Sequence, residues 1–82
     1  MKKFKTEMLK AKTMSEIEPD HEDYWVGYIE GLKQAYYGER YKTMQEHDLW
    51  RSFINDTDIA QKEKGHGYHD GLIALNRKED DK

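Results

Sequence analysis

The segment Gly27-Tyr28-Ile29-Glu30-Gly31-Leu32 returns 40 residues later as Gly67-Tyr68-His69-Asp70-Gly71-Leu72, and both copies read Gly-Tyr-x-acid-Gly-Leu. Glycines at i and i+4 lie on one face of a helix. They clear that face of side chains, so another backbone can approach closely, the logic of small-xxx-small helix pairs. Those pairs are best known in membranes, but charged residues make up 38% of this chain. No run approaches the ~18 consecutive apolar residues of a membrane span. The expected partner of each notched helix is therefore another helix in water. Gly27, Tyr28, Gly31, Gly67, Tyr68 and Gly71 are the expected helix-packing residues, within one chain or between two. Two copies are too few for a solenoid; a fused two-fold arrangement of similar helical hairpins accounts for them. The rival reading is that the glycines clear space for a ligand between the helices.

Helix signals surround the two copies. Glu18-Pro19-Asp20 reads as a helix start, with Asp20, Glu22 and Asp23 suited to the positive end of the helix dipole. Trp25, Ile29, Leu32 and Tyr36 then recur at i, i+4, i+7 and i+11, widened by Tyr24, Tyr28 and Ala35. Gly38 is the natural stop. Thr43-Met44-Gln45-Glu46 has capping-box spacing and opens a shorter helix from about Met44 to Ile54. Asn55-Asp56-Thr57-Asp58 supplies a turn and a fresh N-cap for a last helix from about Asp58 to Asn76. Gly65 and Gly67 each cost roughly 1 kcal/mol against Ala in a helix, so a kink or break near Gly65 is an option. The fold class is all-α: one domain over 1–82, with three to four helices, two of them long, glycine-notched and closely packed. Residues 1–14 are a basic arm or a short helix anchored by Phe4, Met8 and Leu9, with strand character as the alternative. Residues 77–82 are a frayed charged tail.

Core material is scarce. Leu, Ile, Val and Phe fall under a fifth of the 82 residues, but ten aromatics, six of them Tyr, make up the deficit at a net charge of only -3. Each buried aromatic removes roughly 150–250 Å² from water. A domain this small has thin reserves, and homo-oligomerisation is one way to add buried area.

Catalytic chemistry finds little footing. There are no cysteines, which excludes a disulfide framework, a thiolate zinc site and a Cys nucleophile, and a reducing cytoplasm is the default compartment. Met1–Lys12 is basic with no apolar run behind it, so no signal peptide is expected. His66 and His69 share a helical face, but a zinc site needs three or four converging ligands, and no HExxH motif is present. Glu46-His47-Asp48 sets acid and base side by side, but neighbours in sequence point to different faces of a helix. Gly65-x-Gly67 lacks a preceding strand and the Lys-Ser/Thr ending of a P-loop. The expectation is no enzyme, no metal and no cofactor.

Binding is the stronger expectation. Tyr36-Tyr37-Gly38-Glu39-Arg40-Tyr41 sets aromatics beside a cation at the end of a helix, and Tyr and Arg are favoured at interface hot spots. Tyr37, Arg40 and Tyr41 are the first partner-binding candidates. The second set is Asp20, Glu22 and Asp23, within a stretch Glu16–Asp23 that holds no Lys or Arg; such acids suit a basic, nucleic-acid-binding surface on a target. In each case a plain structural role competes, as cover for a helix junction or as charge at a helix N-terminus. A pI near 5.8 argues against general nucleic-acid affinity. A nucleic-acid or nucleotide binder using Lys2, Lys3, Lys5, Lys10, Lys12 and exposed tyrosines is the alternative.

The runs Asp23–Leu32, Tyr36–Tyr41, Glu46–Trp50 and Gly65–Leu72 together resemble a family of short proteins carried by phages and other mobile elements. The resemblance covers about Asp23 to Leu72. It implies a setting and assigns no residue. Small proteins in that setting often inhibit host defence or host enzymes by direct binding, so it implies a protein partner within a host complex, in the manner of anti-CRISPR proteins.

Overall fold

A computed structural model describes residues 2–75, apart from the side chain of Glu39. Four helices follow one another: α1 Lys2–Ile17, α2 Glu22–Tyr37, α3 Met44–Ser52 and α4 Ile59–Ala74, with 3-10 turns at Pro19–His21, Gly38–Arg40 and Phe53–Asn55. No strand occurs among the described residues. The chain is an all-α bundle with two long, glycine-notched helices at its centre. The tail 77–82 lies outside the described residues.

Each boundary has a local cause. Helix α1 stops because Pro19 disfavours helical geometry at the preceding residue, and Glu18 sits at φ -118°, ψ 70°. Pro19 then opens the 3-10 turn, where its missing N–H costs nothing. Helix α2 ends at Gly38, whose φ of 73° is the left-handed region that glycine enters freely. Helix α3 begins on a complete capping box, with Thr43 and Glu46 each accepting the other's backbone N–H. Helix α4 begins on Asp58, which accepts from the Gln61 N–H, while Asp56 accepts from the Asp58 N–H at 2.8 Å.

Of the two options for the first segment the helix holds: Lys2–Ile17 is helical, and it carries Phe4 and Met8 onto the core. Three sequence expectations need correction. Leu9, expected as an anchor, is 67% exposed. No break occurs at Gly65, since α4 runs unbroken through Gly65, Gly67 and Gly71. The propensity cost is offset because all three glycines are covered by backbone from neighbouring elements. The helix expected to reach Ile54 stops at Ser52 and tightens into a 3-10 turn.

The centre of the molecule is the α2–α4 pair. Gly27 faces Lys64 and Gly31 faces Tyr68, while Gly67 faces Tyr24 and Gly71 faces Tyr28. Partner numbers rise together, so the two helices run parallel. The contacts also exchange under a shift of 40: Gly27 against Lys64 becomes Gly67 against Tyr24, and Gly31 against Tyr68 becomes Gly71 against Tyr28. That is the signature of a two-fold axis lying between the helices. Helices α1 and α3 return antiparallel on opposite flanks. The apolar core of Ala11, Trp25, Tyr28, Leu32 and Ala74, with Phe4, Met8, Met14, Tyr24, Ile29 and Leu75 packed on it, lies on the α1 side.

Candidate functional site

Close approach fixes what the repeated segment presents. A Cβ at Gly27, Gly31, Gly67 or Gly71 would overlap a carbonyl oxygen of the facing helix; at Gly31 it would also lie 2.9 Å from the Leu72 nitrogen. The hydrogen that takes the Cβ direction therefore points at that oxygen, a Cα–H···O arrangement worth about 0.5–1 kcal/mol each. Backbone against backbone leaves no room for a ligand, so the seam is closed, and chemistry has to occur on its flanks.

Each flank is set by a tyrosine beside a seam glycine. Tyr28 is 2% exposed and Tyr68 fully buried. The Tyr28 hydroxyl donates to Glu7 on α1 at 2.7 Å, and the Tyr68 hydroxyl lies 2.7 Å from His47 Nδ1 on α3. Glu7 and His47 are themselves 40 residues apart. So are Lys10, whose ammonium lies 5.9 Å from the Tyr28 ring, and Trp50, whose ring lies 5.5 Å from that of Tyr68. The repeat thus extends from the seam to both outer helices. Burial pushes the Tyr68 hydroxyl up to about 12, with the Glu30 charge adding to it.

The acids of the two copies bind tyrosines outside the repeat. Asp70 accepts from the Tyr24 hydroxyl across the seam. Glu30 accepts from the Tyr41 hydroxyl at 2.7 Å and from Lys42 at 2.9 Å. Burial pushes the Glu30 carboxyl up, but the Tyr41 and Lys42 hydrogen bonds and the Lys42 and Lys33 charges outweigh it and hold the group below its usual value. Burial, followed by the bond to Glu30, raises the Tyr41 hydroxyl to about 12. Lys42 also lies 4.8 Å from the Tyr41 ring and 4.7 Å from the Trp50 ring, a cation shared between two aromatic faces.

Tyr37, Arg40 and Tyr41 come together at the C-terminal end of α2. Phe4 stacks on Tyr36 at 4.1 Å and meets Tyr37 edge-on at 5.8 Å, and Tyr37 lies 6.1 Å from Tyr41. Tyr37 is 51% exposed, and Arg40 is exposed. Tyr41 is half-buried, its hydroxyl committed to Glu30. Sequence periodicity missed Phe4 as a member of this cluster, because the contact joins two helices 32 residues apart and no local pattern encodes it. The antiparallel return of α1 also brings exposed Lys2 and Lys5 to this end of the molecule.

Asp20, Glu22 and Asp23 sit at the other end of α2. None forms an ion pair with a described residue; the pair formed there is His21 with Glu63, at 3.6 Å. Lys62 and Lys64 of α4 lie at this end too, since α4 runs parallel to α2 and Gly27 faces Lys64. No group of three or more His, Asp or Glu side chains among the described residues is placed to hold a metal ion, and His66 and His69 are both exposed. No helix of the described residues is long and apolar enough to cross a membrane.

No protein-family model, no curated protein and no solved structure matches this chain.

Proposed function

We propose that this chain is a small non-catalytic protein-binding module of a phage or mobile element, acting in the cytoplasm as an inhibitor of a host defence complex in the manner of anti-CRISPR proteins. The observation that carries the reading is the exposed aromatic corner at the end of α2. Tyr37 stands half exposed on the Phe4–Tyr36 stack, with exposed Arg40 beside it. Rigid aromatics that are already packed lose little side-chain entropy on docking, and an adjacent guanidinium adds a polar handle. Asp20, Glu22 and Asp23, which form no ion pair with a described residue, supply a second surface, complementary to a basic groove on the target.

The test is capture from lysed cells of the source organism, with the wild-type chain and a Tyr37→Ser/Arg40→Ala variant as baits. A protein complex retained by the wild type and lost by the variant supports the reading. Retention by both baits, or by neither, contradicts it.

One observation favours a second reading, in which the same corner binds nucleic acid: exposed Lys2 and Lys5 share the first turn of α1 with Phe4, which stacks on Tyr36. Salt separates the two. Phosphate-driven binding falls by roughly 10³–10⁵ between 50 and 200 mM salt when several contacts are made. Docking through aromatics is far less sensitive.

A further inference from the structure

The two halves differ in kind at one flank of the seam. A shallow depression of about 420 Å³ opens between α3, the following 3-10 turn and α4, lined by Asp48, Arg51, Ser52, Ile54, Asn55 and His69. Forty residues earlier, the counterparts of Asp48, Arg51, Ile54 and His69 are Met8, Ala11, Met14 and Ile29. All four belong to the packed core of the first half, and Ala11 is fully buried. The seam between outer and central helix is thus closed with apolar side chains in one half. In the other it is open and carries an acid, a guanidinium and an imidazole.

Among the described residues, the Arg51 charge acts on buried Tyr68 through space without a hydrogen bond. Asp48 and Arg51 lie three apart on α3, near enough in spacing to pair, yet neither forms a hydrogen bond or ion pair with a described residue, and His69 forms none. Ser52 donates its hydroxyl hydrogen to the Leu49 carbonyl at 2.7 Å, which leaves its oxygen lone pairs to accept from a guest. The volume lies within the ~300–1,000 Å³ usual for ligand sites.

We propose that this depression is a docking site for an acidic peptide segment of a protein partner. A carboxylate suits Arg51, whose planar fork takes two oxygens at once, with His69 as a second donor. Peptide N–H groups suit Asp48 and the Asn55 side-chain oxygen, and Ile54 offers an apolar contact for an aliphatic neighbour. A phosphate dianion fits less well, since it offers no N–H donor to Asp48 or to the Asn55 side-chain oxygen, which the backbone of a peptide supplies. The site is lined by residues of α3, the following 3-10 turn and α4, none of them in the aromatic corner, and stands whether or not that corner binds protein.

The test is amide chemical-shift mapping of the full chain against a blocked tetraglutamate peptide, with blocked tetralysine and inorganic phosphate as comparisons. Tetraglutamate should shift Arg51, Asn55 and His69 saturably. Arg51→Gln and His69→Gln should each weaken binding by at least about fivefold, as loss of a charge-assisted contact requires. Both side chains are exposed, so the fold should survive, as an unchanged spectrum elsewhere would confirm. Absent or non-saturating shifts, shifts as large at Lys2, Lys5 and Arg40, or phosphate binding as tight as tetraglutamate would each overturn the proposal. So would a sedimenting dimer of the chain alone that Arg51→Gln dissolves, because the occupant would then be a second copy.

Discussion

Tyr68 and Tyr28 occupy the same place in two halves of one molecule: each is buried beside a seam glycine, and each hydroxyl reaches 2.7 Å to a polar group on its own outer helix. The groups differ, Glu7 for Tyr28 and His47 for Tyr68, and the difference has measurable consequences.

The Tyr28 bond has an anionic acceptor, and hydrogen bonds to charged groups contribute about 1.5–3 kcal/mol against about 1 kcal/mol for neutral ones. Tyr28→Phe should therefore lower unfolding free energy more than Tyr68→Phe does. A double-mutant cycle of Tyr28→Phe with Glu7→Gln should give a coupling of about 1 kcal/mol or more. Additive losses would show that the 2.7 Å contact carries no energy.

Alkali should unfold the protein through its tyrosines. A hydroxyl raised from 10.0 to about 12 in the folded state, as at Tyr68 and Tyr41, keeps its proton longer folded than unfolded. Its contribution is complete below pH 10 and is lost as pH rises toward 12. For buried Tyr68 the loss is on the order of 2 kcal/mol, since each pKa unit is worth about 1.4 kcal/mol. Urea unfolding measured from pH 9 to 12 should show this fall, and Tyr68→Phe should flatten it.

Acid should act through Glu30. Its carboxyl is held below the usual value of 4.5 in the folded state, so its contribution is present above that value and lost as pH falls through the folded one. Glu30→Gln should cost about 1 kcal/mol at pH 7, a modest figure because the ion pair with Lys42 is partly open to solvent. The gap between wild type and variant should close as pH falls well below 4.5. A gap that persists there would assign the effect to shape and not to charge.

Gly38 separates backbone strain from crowding. A Cβ there meets nothing within 4 Å, but φ is 73°. Gly38→Ala should lower stability by about 1–3 kcal/mol through the backbone alone, and Gly38→Asn should cost about as much, because φ 73° with ψ -150° lies outside the left-handed helical well that Asn tolerates. A clearly smaller cost for Asn would contradict this assignment.

The repeated hexapeptide, the helix starts at Thr43 and Asp58 and the stop at Gly38 were all legible in the sequence, because each rests on residues within one turn of each other. The parallel run of α2 and α4 was not. A pattern of glycines says which faces meet but not in which direction. The exposure of Leu49 and Ile59 was also missed: helical spacing marks an apolar position, and nothing local says that α3 is too short to cover it. For the candidate sites, Tyr37, Arg40 and Tyr41 were visible as a cluster along the chain, whereas Phe4 joined them only through tertiary contact. The depression beside Arg51 has no local signature, because its walls come from α3, the following 3-10 turn and α4.

The central claim is that two repeated helices meet backbone to backbone, and Gly31→Ala and Gly71→Ala test it most directly by equilibrium urea unfolding. Helix propensity alone would raise stability by roughly 1 kcal/mol for each. A Cβ forced against carbonyl oxygens that cannot rotate away should reverse that sign and lower stability by about 2 kcal/mol or more. Unchanged or increased stability in both variants would mean that the helices stand apart there, and would contradict the account.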